Sequence, residues 1–214
     1  MGKKKKKAKR AAEAEHKLIG PIAAAADRAP IAWIGKASEI ADQPPLVAVS
    51  LATIAIGAVL RRRDVARTGA RMLLSHALAT AGKAVVKNAV DRSRPARALL
   101  DGKPRIGAGK GASDTDFNSF PSGHTAGAAS VAEAVAHTAP ALAAPARGGA
   151  AAVAAIQLPR GAHYPSDVVI GAAIGWLAER LAGALVDAAE RAITRQRSKG
   201  AADDPVAETE AHPS

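Results

Sequence analysis

Cysteine is absent from the 214 residues, which removes disulfides, thiolate metal sites and a cysteine nucleophile from consideration. Aromatic residues make up only 2% of the chain, and none is interleaved with its basic N-terminal run, so the stacking platform of a nucleic-acid binder is missing. No uninterrupted apolar stretch follows that run: AAEAEHKLIG comes next, so a cleaved secretory signal is not expected. Internal repeats are lacking too. No cluster of His, Asp or Glu has metal-ligand spacing, so neither a metal nor any other cofactor is expected.

What is present points to helix. The chain has the length of one ordinary domain, hence of one active site. Hydrophobic residues form 48% of it, with Ala supplying so many that periodic segments are read as helical. The formal charge of +11 is concentrated at the start, where Lys3 to Lys7, Lys9 and Arg10 are seven basic residues among the first ten. A run this dense repels itself and stays solvated, so residues 1–15 are read as a disordered basic tail attracted to anionic lipid headgroups rather than to nucleic acid.

Residues 16–43 read as a helical region broken by Pro21 and Pro30 and interrupted by Asp27, Arg28, Lys36 and Glu39. Leu46 to Leu60 is the cleanest apolar run, bounded by Pro44-Pro45 and Arg61-Arg62-Arg63. At helical rise it measures roughly 22 Å, which crosses a hydrocarbon core of ~30 Å only if the flanking arginines snorkel. An Ala-rich helix over Val65 to Val90 follows, then a loop from Asp91 to Phe120 rich in Gly, Pro, Ser, Asp and Arg. Loops of that length inside a domain are commonly functional. Ser122 is an N-cap candidate for a helix reaching Pro140; APARGG is read as a linker and Ala150 to Leu158 as an apolar stretch. After a second loop, Pro159 to Pro165, Ser166 is expected to cap a last helix from Asp167 to about Arg195, with 196–214 as a polar tail.

Three local patterns sit at loop–helix junctions: Lys87 with six residues before Arg94-Pro95, then Pro121-Ser122-Gly123-His124, then His163-Tyr164-Pro165-Ser166-Asp167. Helix direction brings all three to one end of the molecule. The set suits a phosphate. Lys87 supplies a point charge and Arg94 a bidentate fork, while Ser122 and Gly123 mark a helix N-terminus whose unpaired N–H groups favour an anion. His163 and Asp167 form a nucleophile and its orienter, and His124 remains as general acid for the leaving oxygen.

These residues resemble the three signature motifs of the type 2 phosphatidic acid phosphatase family, which shares a superfamily with vanadium haloperoxidases. The likeness spans about Lys87 to Asp167 and, loosely, the flanking helices. It implies an all-α bundle of about five to six helices over residues 16–195, embedded in a membrane with the active site at one end. It also implies a phosphohistidine on His163, leaving-group protonation by His124, support of His163 by Asp167, and phosphate contacts from Lys87, Arg94, Ser122 and Gly123. One position departs from the pattern: six residues before the nucleophilic histidine the family usually carries arginine, and here Gln157 stands there. Arg160, three residues later, is the candidate to supply that charge.

The other histidines, His16, His76, His137 and His212, fit no motif and are read as surface or packing residues; Glu133 is read likewise. GKPRIGAGKG imitates a phosphate-binding glycine loop only superficially, because Pro104 replaces the first glycine and Gly111 the final Ser or Thr. The expected function is hydrolysis of a phosphorylated lipid at a membrane, without a metal. A soluble phosphatase acting on small esters and a non-catalytic binder of anionic lipid are the alternatives. Nothing in the sequence specifies an oligomer. Arg61 to Arg63, Arg67, Arg147 and RAITRQRSK lie at the end away from the site loops, so the positive-inside rule assigns that end to the cytoplasm and the site to the extracytoplasmic side.

Overall fold

In the computed structural model, which describes residues 2–26, 28–109 and 114–202, eight α-helices account for nearly all regular structure. They are α1 (Gly2–Ala23), α2 (Ala29–Ala37), α3 (Gln43–Val59), α4 (Arg63–Ala89), α5 (Pro95–Leu100), α6 (Gly123–Thr138), α7 (Ala143–Ile156) and α8 (Pro165–Ala202). Two three-residue strands, β1 (Val90–Arg92) and β2 (Ile106–Ala108), pair antiparallel with Arg92 opposite Ile106.

The centre is a triangle of α4, α6 and α8, with α3 packed on α4 and α7 on α6. Small residues set the spacing. A β-carbon at Gly175 would lie 2.4 Å from the Ala126 carbonyl oxygen, and one at Gly171 would lie 2.5 Å from that of Ser122, so α8 meets α6 backbone to backbone. These glycines are four apart on one face, the small-xxx-small arrangement that lets helices approach closely. The core is accordingly made of Ala126, Ala132, Ala134, Ala178 and Ala182 rather than of rings. A buried ion pair crosses it: Arg71 Nε donates to Glu179 Oε1 at 2.6 Å, and Glu179 has no exposed side-chain surface. Such a pair adds little net stability, because desolvating both charges offsets their attraction.

Apolar side chains also face outward. Val169, Ile170, Trp176, Leu177, Leu181 and Leu185 of α8 are exposed, as are Val49, Leu51, Ile56 and Val59 of α3. Among the described residues, Pro165–Lys199 is long and apolar enough to cross a membrane, and Pro30–Ala41 with Gln43–Val59 forms a second candidate bent by 48°.

Several sequence expectations are corrected. Helix α1 begins at Gly2, so residues 6–15 are not structured as a separate tail; Ala12, Ile19 and Ala23 are buried, and α1 packs against α5 and β2. Apolar residues at helical spacing offset the charge repulsion that favoured a disordered reading. The 91–120 loop contains β1, α5 and β2, started in part by Pro95 at the first position of α5. Helix α7 begins at Ala143 and absorbs APARGG, because Pro145 falls in its first turn, where its missing N–H is harmless. Helix α8 continues past Arg195 to Ala202. Lys110, Gly111, His212 and residues 203–214 of the expected polar tail lie outside the described residues.

Candidate active site

The N-terminus of α6 is built by its own sequence. Ser122 is extended and its Oγ accepts the Thr125 N–H, as expected of an N-cap, while its own N–H donates to the Asp167 carbonyl at 3.0 Å. Ser122 therefore acts as the cap and as the tie to α8. The next two N–H groups, of Gly123 and His124, have no intrahelical carbonyl to reach and are the donors left for an anion. A β-carbon at Gly123 would lie 3.2 Å from Lys83 Nζ. Lys83, one helical turn before Lys87, thus stands against this turn; its position in the turn preceding a motif lysine was the only signal for it in the sequence.

His163 lies in the loop between α7 and α8 and is almost fully buried. Its Nδ1 is 2.7 Å from the Ser119 carbonyl oxygen, and Asp167 Oδ2 is 3.8 Å away. The expected direct orienter was Asp167; the closer acceptor is a backbone carbonyl, with the carboxylate behind it. Either way Nδ1 carries the proton, which leaves the Nε2 lone pair as the nucleophilic one. Burial lowers the His163 pKa below its usual value, Asp167 opposes the shift and Arg94 adds to it.

Asp167, itself without exposed surface, is held on every side: Arg92 Nη1 donates to Oδ1 at 2.6 Å, the Tyr164 N–H to Oδ2 at 2.8 Å, and Ser119 Oγ also donates to Oδ2. Arg92 is stacked 4.0 Å from the centre of the Tyr164 ring, and burial pushes the Tyr164 phenol up to about 12. Sequence reasoning missed Arg92, Ser119 and Tyr164 as supporting residues. Arg92 lies two residues from the motif Arg94, and nothing in a segment that reads as loop shows that it ends β1 and turns to Asp167.

The cationic groups converge as the motif order implies. Lys87 Nζ donates to the Asn118 carbonyl at 2.9 Å and is close enough to Arg94 and Asp167 to feel their charges. His124 feels those of His163, Arg160, Lys83 and Asp42. His124 Nε2 and Arg94 Nε are buried with no hydrogen-bond partner, an arrangement that an anionic ligand would satisfy. Arg160 Nη1 donates to Ser38 Oγ at 2.8 Å, with Glu39 Oε1 3.6 Å away. Gln157 is fully buried and donates to the Val153 carbonyl at 2.9 Å.

No curated protein sequence matches this chain. The crystal structure of Aquifex aeolicus LpxE superposes with a TM-score of 0.53 at 21% identity, covering 78% of this chain and 92% of that one, a likeness of fold. A transmembrane PAP2 type phosphatidylglycerolphosphate phosphatase from Bacillus subtilis also aligns, at 21% identity and a TM-score of 0.38 over 81% of this chain and 94% of that one. The family model described as PAP2 superfamily matches residues 68–190, a stretch that runs from α4 into α8 and contains all three patterns. The chain belongs to the PAP2 superfamily.

Proposed function

We propose that the protein is a metal-independent phosphatase that hydrolyses a phosphate ester or diphosphate of a membrane lipid through a phosphohistidine on His163. The observation that carries this reading is the His163 ring, whose Nδ1 is engaged by Ser119 and whose Nε2 is left for attack, with Arg94 and His124 of the α6 N-terminus near enough for their charges to act on it. Nε2 attacks phosphorus in line with the ester oxygen; the P–N bond forms as the P–O bond breaks, and His124 protonates the departing alkoxide. Water then attacks the phosphorus, His124 takes its proton, and the P–N bond breaks to release phosphate. Lys87, Arg94 and the N–H groups of Gly123 and His124 stabilise the charge on the equatorial oxygens.

The lipid substrate is supported by the superfamily and by the apolar exteriors of α3 and α8. Metal independence is supported by the side-chain cations of Lys87 and Arg94, which can take the role of a metal. The test is phosphate release from phosphatidic acid and polyprenyl phosphates in detergent micelles. Turnover is expected to survive EDTA and to be blocked by vanadate, a mimic of five-coordinate phosphorus. Loss of activity with EDTA and its return with a divalent ion would refute the mechanism.

A further inference from the structure

Arg92 holds Asp167 with one arm of its guanidinium, and its other arm leaves the three motifs altogether. Nη2 donates to Glu15 Oε2 at 2.6 Å, and Nη1 also reaches Ser166 Oγ at 2.7 Å. Glu15 sits two-thirds of the way along α1, in the helix that begins with the lysine run. Its carboxylate accepts twice more from α8: Oε1 takes the Ser166 N–H at 2.9 Å and Oε2 the Ser166 hydroxyl at 2.9 Å. Ser166 lies in the first turn of α8, where N–H groups have no intrahelical partner and a negative charge is favoured. A carboxylate from α1 thus caps the helix that carries Asp167.

The charges give this contact its chemical meaning. Arg92 and Asp167 have side-chain exposures of only 3% and 0%. An arginine bound tightly to Asp167 draws that carboxylate's field away from His163, whose ring must turn cationic when Nε2 bonds to phosphorus. A second carboxylate on Arg92 returns the balance: with the partly exposed Glu15 in place, the group of Arg92, Asp167 and Glu15 carries one net negative charge, and Asp167, 3.8 Å from Nδ1, presents it to His163. Arg94 faces the ring from the start of α5 and His124 from the first turn of α6, and Lys87 faces Asp167 from α4, all of them neutral or positive. No other carboxylate is bonded to Arg92 among the described residues.

We infer that Glu15 is a positioning residue for the reaction: by neutralising Arg92 and capping α8 it keeps the Asp167 carboxylate available to the cation that forms on His163. This rests on the phosphohistidine reading, and it makes α1 part of the catalytic apparatus.

The test uses the full chain in detergent, with Glu15→Gln, Glu15→Asp and, as a control that removes the same charge from an exposed site on the same helix, Glu13→Gln. Phosphate release from phosphatidic acid is followed against pH, and the His163 ring nitrogens are titrated by NMR after ¹⁵N-histidine labelling, assigned by their loss in His163→Gln. Removing Glu15's charge disfavours the imidazolium, so in Glu15→Gln the His163 midpoint and the acid limb of kcat/KM should move down by about half a unit or more. Its kcat should fall about tenfold, the lower end for a lost supporting contact, with KM nearly unchanged. Glu15→Asp should recover much of both, and Glu13→Gln should match the wild type. A fall in kcat with the His163 midpoint unmoved would make Glu15 a mere scaffold and overturn the inference, as would wild-type behaviour of Glu15→Gln. If the wild type released phosphate from no ester, the phosphatase reading would fail by itself. The His163 midpoint would still decide, by shifting or staying, whether Glu15 balances Arg92.

Discussion

Gln157 stands where the family usually carries arginine, and Arg160 is proposed to supply the missing charge. Gln157 is sealed inside, spending its amide on the Val153 carbonyl and lying 3.5 Å from Ser38 Oγ. Arg160 is less buried, shares Ser38, and projects enough charge towards Arg94 and His124 to be felt at both. A charge-assisted bond to phosphate is worth roughly 1.5 to 3 kcal/mol, or about 10- to 150-fold. Arg160→Ala should therefore lower kcat/KM at least about tenfold, whereas Gln157→Ser, which keeps a small polar group against Ser38, should alter turnover little. Steady-state kinetics on one lipid phosphate decides; the reverse order would assign the role to Gln157. At this scale the motif residues were legible in the sequence because their chemistry is unusual for an Ala-rich helix. Their partners were not: Ser119 acts through its backbone carbonyl, and Arg92 and Glu15 are 77 residues apart in the chain.

Helices α4, α6 and α8 were readable from periodicity and from caps such as Ser122, and α3 from its apolar run between two prolines and three arginines. The hairpin of β1 and β2 was not, since three-residue strands are too short to show alternation, and α1 was hidden by its own charge. The glycines that set helix spacing were also unremarkable in sequence, because helical glycine has no local signature of close packing. Their roles differ sharply. Gly175 meets the Ala126 backbone, while a β-carbon at Gly148 in α7 would meet nothing within 4 Å. Gly175→Ala should destabilise by about 1 to 3 kcal/mol through overpacking. Gly148→Ala should stabilise by about 0.5 to 1 kcal/mol through helix propensity. Thermal midpoints of the two variants in one detergent check the contrast; equal effects would mean that α8 and α6 do not touch as closely as described.

The motif residues gather at one end of the molecule, where α1 with its lysine run also packs against α5 and β2, and a second group of arginines, paired with carboxylates, lies at the other. Arg67 near the start of α4 pairs with Asp187 and Glu190 of α8, and Glu133 of α6 with Arg147 of α7, all remote along their helices from Lys87, His124 and His163. We propose from the positive-inside rule that the arginine-bearing end is cytoplasmic and the site faces outward. The chain has no native cysteine, so single cysteines at Lys103, between α5 and β2, and at Arg197, near the end of α8, can be labelled in intact cells with an impermeant reagent. Labelling at 103 and not at 197 is the expected result; the reverse would invert the orientation. None of this matters unless His163 itself carries the phosphoryl group. The most direct measurement is to quench the enzyme into alkali within its first turnovers on a lipid bearing a labelled phosphate, then map the labelled peptide, since a phosphohistidine survives base and is lost in acid. The label should sit on His163 in the wild type and be absent, together with turnover, in His163→Ala. Label on any other residue, or undiminished phosphate release by His163→Ala, would contradict the account.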